Sequence, residues 1–164
     1  MEFTDVIRQR RSVRAFLPKP VSDNDIETIV WSAGQAPTAR NVQPWEFIVI
    51  KNTETRQEVS RLASPNGDFI KDSPVCIAVF SKDCKYYLED CSAAVTQALL
   101  CAASLGLGAC WVAGDKKDYC AKVGRLLRVP DGYRLVSLIA IGYSSENPTP
   151  KKRDLKDIIH RERF

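Results

Sequence analysis

Histidine is almost absent from this sequence, and the one that occurs, His160, lies close to the C-terminus. Six cysteines are spread from Cys76 to Cys120, and no two of them form a CxxC pair. Zinc sites combine cysteine and histidine ligands at short spacings, and a nucleophilic cysteine usually needs a histidine beside it. We therefore expect neither a metal site nor a Cys–His catalytic pair. The cysteines are expected to be small core residues in a reducing compartment.

Several familiar catalytic and nucleotide-binding motifs are missing too. The sequence contains no GxxxxGKS or GxxxxGKT and no GxSxG, so neither a phosphate-loop NTPase nor a hydrolase with a nucleophile elbow is indicated. Gly106 and Gly108 begin like a dinucleotide-binding fingerprint, but Trp111 occupies the place of the third glycine. These glycines also follow a predicted helix and precede a predicted strand, whereas a Rossmann site needs the reverse order. That interpretation is rejected.

Long apolar runs and a strong charge of either sign are also lacking. A bilayer span needs roughly 20 apolar residues, and the most apolar segment is interrupted by Thr96, Gln97 and Ser104. The N-terminal residues MEFTDVIRQRRS lack the apolar core of a signal peptide. The sequence has 24 basic and 20 acidic residues, and the resulting net charge of +4 does not by itself indicate nucleic-acid binding. We expect one cytoplasmic domain over residues 1–164, with no membrane or nucleic-acid partner.

The segment 90–114, DCSAAVTQALLCAASLGLGACWVAG, is the most informative part of the sequence. Between Ala93 and Leu105 the apolar residues cover most of the circumference of a helix, which predicts a central helix enclosed on nearly all faces. Its many Ala, Ser and Cys residues would let neighbouring elements, or a second copy of the helix, approach closely. Gly106 is expected to end the helix in a left-handed conformation.

Apolar periodicity and turn residues predict the remaining elements. Helices are expected from about residue 3, over 22–34, 53–62 and 116–127, with a last short one in 155–164. Strands are expected over 45–51, 74–80, 107–112 and 134–142. Helices and strands alternate without the even βαβ rhythm of a doubly wound sheet. The predicted fold class is therefore α+β, with helices packed on the sheet.

Two basic clusters and one polar loop are candidates for a binding site. Arg10, Arg11, Ser12 and Arg14 lie near the N-terminus, Lys151 to Arg153 near the C-terminus, and the loop 35–44 is rich in amides and hydroxyls. Each basic cluster alone is also compatible with a solvated face. Together with the loop they suggest a ligand with an anionic end and a hydrogen-bonding edge. A phosphate suits guanidinium groups, and a planar heterocycle suits amides.

Four segments resemble the FMN-dependent nitroreductase family. They are RRSVR at 10–14, APTARNVQPWEF at 36–47, GLGACWVAG at 106–114 and PKKR near the C-terminus. The resemblance extends over nearly the whole chain and keeps the order of the elements. It implies an α+β homodimer with a mainly antiparallel central sheet, the central helix at the subunit interface, and two FMN molecules bound there.

The resemblance also implies roles for individual residues. Arg10, Arg11 and Ser12 match residues near the FMN phosphate and ribityl chain, and Lys151 and Arg153 match the phosphate clamp. Arg14 matches a basic residue beside N1 and the C2 carbonyl of the ring, where a cation would stabilise reduced flavin. A segment that the family contributes from the partner subunit is matched by Pro37, Thr38, Ala39 and Asn41. Asn66 matches an amide that faces the pyrimidine edge of the flavin. The backbone beside N5 is matched by Ala113 and Gly114.

Two departures from the family pattern bear on these expectations. Many members carry a lysine three residues after the position of Asn66, where this chain has Phe69. Larger members insert helices between the second buried strand and the central helix, whereas few residues separate them here. A different flavin potential and a more open substrate side are therefore expected.

As a function, the resemblance implies transfer of electrons from NADH or NADPH, through flavin N5, to a nitroaromatic, a quinone or a similar small acceptor. No side chain is then needed as a nucleophile or an obligatory acid. Three alternatives stay open: reductive dehalogenation or flavin-fragmenting chemistry, a non-catalytic module that stores FMN, and a basic RNA-binding domain. The strands show no exposed aromatic platform, which makes the last one the weakest.

Overall fold

The computed structural model describes residues 2–164, and its strands form one antiparallel sheet. They are β1 (Trp45–Ile50), β2 (Val75–Lys82), β3 (Gly108–Ala113) and β4 (Tyr133–Gly142), in the order β1-β2-β4-β3. Each neighbouring pair is antiparallel. The central strands β2 and β4 carry the most continuous apolar sequences, because both of their faces are covered. The predicted α+β class and the mainly antiparallel sheet are confirmed.

Five helices flank this sheet in the described residues. They are α1 (Phe3–Gln9), α2 (Asp23–Gly34), α3 (Thr53–Leu62), α4 (Tyr87–Ser104) and α5 (Cys120–Leu126), with short 3-10 turns at Ala39–Asn41, Asp68–Asp72 and Leu155–Asp157. Ser22 and Asn52 cap α2 and α3 by accepting backbone N–H groups through their side chains. In residues 2–164 no helix combines the length and the apolar character that a bilayer span requires.

Two predicted helices are shorter than expected. The helix predicted over 116–127 begins only at Cys120, after a loop in which Lys116 has a φ of 63°. The segment 155–164 contains only one 3-10 turn, and its side chains are exposed. A short helix with no packed face has little to stabilise it, because most helical stability in proteins comes from tertiary packing.

The strand alternation divides the core into two layers. Residues such as Ile77 and Ile139 face α2 and α4, and together with Ile29, Val95 and Ala98 they form one buried cluster. The intervening residues face α3 and α5, where Phe80 and Leu138 pack with Val59, Ile70 and Val123.

The central helix α4 ends as predicted. Gly106 has a φ of 75°, its N–H donates to the carbonyl of Ala103, and the N–H of Leu107 donates to that of Ala102. This pair of bonds is a Schellman motif, in which glycine tolerates the left-handed conformation. The motif turns the chain directly from α4 into β3.

The predicted enclosure of α4 on nearly all faces is only partly met within one chain. The sides toward the sheet and α2 are buried, including Ala94, Val95 and Ala98. The remaining side, which includes Ala93 and Ala103, is half-buried or exposed. A side of small residues is therefore left open along the longest helix of the described chain.

Candidate functional site

The arginine-rich segment 10–17 is attached to the edge of the sheet. Ser12 forms a parallel bridge with Ala109, the N–H of Val13 donates to the carbonyl of Ala109 at 3.1 Å, and Phe16 pairs with Ser144. Val13 is buried between these neighbours. A Cβ at Gly108 would come within 2.8 Å of the Val13 side chain, so only glycine allows this approach. The segment is thereby held between β3 and the chain that follows β4.

Glu146 holds this segment in place and was missed by the sequence analysis. Its Oε1 accepts the backbone N–H of Arg14 at 2.5 Å and that of Ala15 at 3.1 Å. The two contacts span more than 130 residues of sequence, so no local pattern could have indicated them. This carboxylate oxygen is therefore engaged by the backbone of the arginine-rich segment.

Arg10 and Arg11 line a cavity of about 170 Å³ with residues around Gly106 and Gly108. Leu99 and Ala103 of α4 contribute apolar surface to the cavity. Its lining also includes Ser144, Glu146 and Pro148, which follow β4. Arg10, Arg11 and Arg14 form no ion pair with any part of the chain in residues 2–164. Unpaired guanidinium groups in a concave site are suited to a phosphate.

The C-terminal cations are not brought into this cavity within one chain. Asn147 and Pro148, at the start of the tail, are among the residues that line the cavity. Lys151 and Arg153 are exposed, and neither is among the described residues that line it. Arg153 instead donates to the carbonyl oxygen of Asp157.

Arg14 and the turn that contains Asn66 face each other. The guanidinium of Arg14 lies 5.8 Å from the ring centroid of Phe69, in the 3-10 turn that follows Asn66. Asn66 itself is exposed. An aromatic face attracts a cation, so the Phe69 ring helps to position the Arg14 guanidinium.

Ala113 is the last residue of β3, about 13 Å along the strand from the Ser12–Ala109 bridge at ordinary strand rise, and Gly114 follows it directly. The N–H of Gly114 donates to the carbonyl of Val136 at 3.0 Å, while the Ala113 and Gly114 carbonyls accept from Tyr119 and Cys120. Burial raises the pKa of Tyr119 to about 12 and also raises that of the Cys120 thiol. Both side chains therefore keep their protons and act as donors that hold this backbone.

A polar group beside Gly114 was also missed by the sequence analysis. The hydroxyl of Tyr87 donates to Asp115 Oδ1 at 2.9 Å, and Arg134 donates to that hydroxyl at 3.3 Å. Asp115 Oδ2 is buried with no hydrogen-bond partner among residues 2–164. A buried carboxylate oxygen without a hydrogen-bond donor lowers the stability of the folded state.

The loop that contains Pro37, Thr38, Ala39 and Asn41 is anchored to the start of α4. Asp90 Oδ1 accepts the N–H of Ala39 at 3.1 Å, and the Thr38 hydroxyl accepts the N–H of Gln43 at 3.3 Å. Asn41 has a φ of 57° and accepts from the Gln43 amide at 3.0 Å. The loop is thus a defined structure, and Asp90, which holds it, was not identified from the sequence.

Within one chain, this loop and the arginine cavity lie at opposite ends of α4. Asp90 is in the first turn and Ala103, which lines the cavity, is in the last. The helical rise between the two residues is about 20 Å. The structure thus holds Arg10, Arg11, Ser12 and Arg14 in one segment at the edge of the sheet, with Arg14 beside Phe69, but it does not bring the loop to them.

A model of the nitroreductase family matches residues 7–66 and 62–143. This chain belongs to the nitroreductase family. A relative from Methanothermobacter thermautotrophicus, provisionally named NADH dehydrogenase/NAD(P)H nitroreductase, is 34% identical over 170 residues, with 100% of this chain and 88% of that protein covered. An iodotyrosine deiodinase of Danio rerio is 22% identical over 194 residues, with 96% of this chain and 66% of that protein covered.

Solved structures of the nitroreductase family agree with this fold. The FMN-dependent nitroreductase of Clostridium difficile superposes with a TM-score of 0.89 at 28% sequence identity, covering 97% of this chain and 98% of that one. Two of the segments that carried the resemblance in the sequence contribute residues to the cavity, which are Arg10, Arg11, Val13, Gly106 and Gly108.

Proposed function

We propose that residues 1–164 form one FMN-binding domain of a cytoplasmic, homodimeric oxidoreductase. Its electron donor is NADH or NADPH, and its acceptor is a nitroaromatic, a quinone or a similar small molecule. The observation that carries the proposal is the cavity in which Arg10 and Arg11 lie beside Gly108 and form no ion pair with any of residues 2–164. Family membership and the FMN-dependent structural relative support the choice of ligand.

The described residues fit the parts of FMN. Arg10, Arg11 and Ser12 offer cations and a hydroxyl to the phosphate and ribityl chain, and the ring would extend along β3 toward Ala113 and Gly114. The chemistry that bound FMN supplies is hydride acceptance at N5 and electron delivery to the second substrate. The protein contributes binding, orientation and charge, and Arg14 contributes a cation beside the ring.

The placement of the loop favours a site shared between two copies of the chain. The loop held by Asp90 lies about 20 Å from the arginine cavity along α4. If α4 packs against its two-fold copy through its open side of small residues, the start of each helix approaches the end of the other. Thr38 and Asn41 of one subunit would then reach the cavity of the other, with Lys151 and Arg153 completing the phosphate site.

The most direct test uses the visible spectrum. The purified protein should show bound flavin, and addition of NADH or NADPH without oxygen should bleach it, with recovery when a quinone or nitroaromatic is added. A flavin spectrum that neither nucleotide changes would instead support a storage module. Protein that neither carries nor takes up flavin would contradict both interpretations.

Arg14→Ala is expected to keep the fold, to weaken FMN binding by about tenfold through loss of one charged contact, and to slow flavin reduction. Arg14 is exposed, and only its backbone N–H is bound by Glu146, so the truncation leaves the segment anchored. The measurements are the FMN dissociation constant and the flavin reduction potential. Arg8→Ala, on exposed α1 surface, is the matched control. An unchanged potential in Arg14→Ala would refute the assigned role.

Initial rates are expected to show that donor and acceptor alternate at one flavin face. Rates measured at several acceptor concentrations should give parallel double-reciprocal lines, because each substrate leaves before the other binds. Intersecting lines would require a complex that holds both substrates and would contradict a shared pocket.

Reductive dehalogenation is the second candidate function, favoured by the similarity to iodotyrosine deiodinase. The connection between β2 and α4 is only 83–86, so no inserted segment covers the substrate side there. Iodotyrosine should therefore be tested beside the quinone and nitroaromatic acceptors. Iodide release coupled to flavin reoxidation would select this function over the first.

A further inference from the structure

A second cavity, of about 640 Å³, lies where α2 begins, β1 ends and β2 begins. Among residues 2–164 it shares no lining residue with the cavity of Arg10 and Arg11. Its lining includes the apolar residues Phe16, Pro18 and Pro20 and the cations Lys51, Arg56 and Lys71. A volume of this size suits a small organic molecule.

Arg56 is a buried cation of this lining without an acidic partner. Arg56 is only 8% exposed, and no carboxylate in residues 2–164 lies within ion-pair distance of its guanidinium. Burial lowers the pKa of Arg56, although a guanidinium remains charged in proteins. The hydrogen-bond partners of this buried charge are all neutral groups, and Asp72 contributes only a longer-range attraction.

The neutral partners of Arg56 leave part of the guanidinium free. Nη1 donates to the carbonyl oxygens of Lys71, at 2.9 Å, and of Ser73, and Nε donates to that of Lys51 at 3.5 Å. Nη2 donates to the Thr53 hydroxyl at 3.2 Å, and its second hydrogen has no acceptor among the described residues. One charged donor is thus available beside the cavity.

The other charges around the cavity add to this positive potential. Lys51 is paired with Asp23 at 2.6 Å, and Lys19 lies 3.8 Å from the ring centroid of Tyr143. Lys71 has no ion-pair partner in residues 2–164. Asp72 is the single carboxylate in the lining against four cations. Cations that surround a concave surface concentrate anions there.

We propose that this cavity binds a small organic anion, with a phosphate or carboxylate group at Arg56 and Lys71 and an apolar body against Phe16 and the prolines. The guanidinium and the amine supply charge-assisted hydrogen bonds. Phe16, Pro18 and Pro20 supply a preformed apolar surface that loses little conformational freedom on binding. This site is separate from the FMN cavity and does not depend on the function proposed above.

The test is isothermal titration of the full chain with phenyl phosphate, benzoate and inorganic phosphate, in a phosphate-free buffer with and without one equivalent of FMN per subunit. An equimolar amount of FMN leaves no excess to compete for the second cavity, and the Arg11→Glu variant identifies any probe that binds at the site of Arg10 and Arg11. Saturable binding is expected for phenyl phosphate or benzoate, and it identifies the preferred anionic group. Inorganic phosphate, which lacks the apolar body, should bind more weakly than phenyl phosphate.

Lys71→Glu is the decisive variant, because Lys71 is exposed and its side chain supports no contact of the fold. It is expected to weaken binding by about tenfold or more through loss of one charge-assisted bond. Lys122→Glu, on the exposed surface of α5 and outside the cavity, changes the net charge equally and should leave binding unchanged. Absence of saturable binding, or equal weakening by both variants, would overturn the proposal. Binding lost in Arg11→Glu but kept in Lys71→Glu would overturn it too.

Discussion

Deletion of residues 149–164 is expected to release FMN and to convert the protein to a monomer or an aggregate. Lys151 and Arg153 lie in this tail, and a dianionic phosphate would need them together with Arg10 and Arg11. In a single chain the tail also leaves apolar side chains exposed, among them Leu155, which is 68% exposed. A second subunit would cover this apolar surface. A ligand that binds only the dimer stabilises it by mass action, so flavin and partner should be lost together.

The measurements are size-exclusion chromatography with light scattering and the ratio of flavin to protein absorbance. Lys151→Glu with Arg153→Glu, in the full-length chain, should lose FMN by charge repulsion yet keep more of the dimer than the truncation does. Lys122→Glu with Arg125→Glu, on exposed α5, changes the charge equally and should keep both. A truncated protein that elutes as a monomer with FMN bound would show that the site is not shared.

Gly114→Ala is expected to lower the free energy of unfolding by about 1–3 kcal/mol, the range typical of overpacking, and to abolish most FMN binding. A Cβ at this position would lie 2.8 Å from both the Leu135 side chain and the Val136 backbone carbon, and 2.9 Å from the Ser137 nitrogen. Backbone atoms of β4 cannot move aside as a flexible side chain can. The end of β3, where we propose that the flavin ring lies, would have to shift instead.

Urea denaturation gives the stability, and the flavin-to-protein ratio gives the binding. Gly34→Ala is the matched control, because no described atom lies within 4 Å of the added Cβ and φ is not in the left-handed region. At the end of α2 this change should stay within about 1 kcal/mol of the parent and is expected to stabilise it. If Gly114→Ala matched Gly34→Ala in both measurements, the close contact with β4 would not constrain the site.

Local features of the fold could be predicted because each is specified by neighbouring residues. Apolar runs of strand length located β2 and β4, since both faces of a central strand are covered. Gly106 indicated the left-handed end of α4 because few other residues adopt that conformation at low cost. The predictions that were wrong, a helix from residue 116 and a helix in the tail, concern segments whose helical state depends on packing that local sequence does not describe.

The sequence by itself determined the family resemblance, the candidate residues that carry it and the apolar character of α4. Only the tertiary structure decided what holds those residues in place. Glu146 reaches Arg14 across the whole chain, and Asp90 anchors the loop at Ala39. The tertiary structure also decided that this loop and the arginine cavity lie at opposite ends of α4. Side-chain contacts between segments distant in sequence depend on how the elements pack, and no periodicity or spacing within a single segment carries that information.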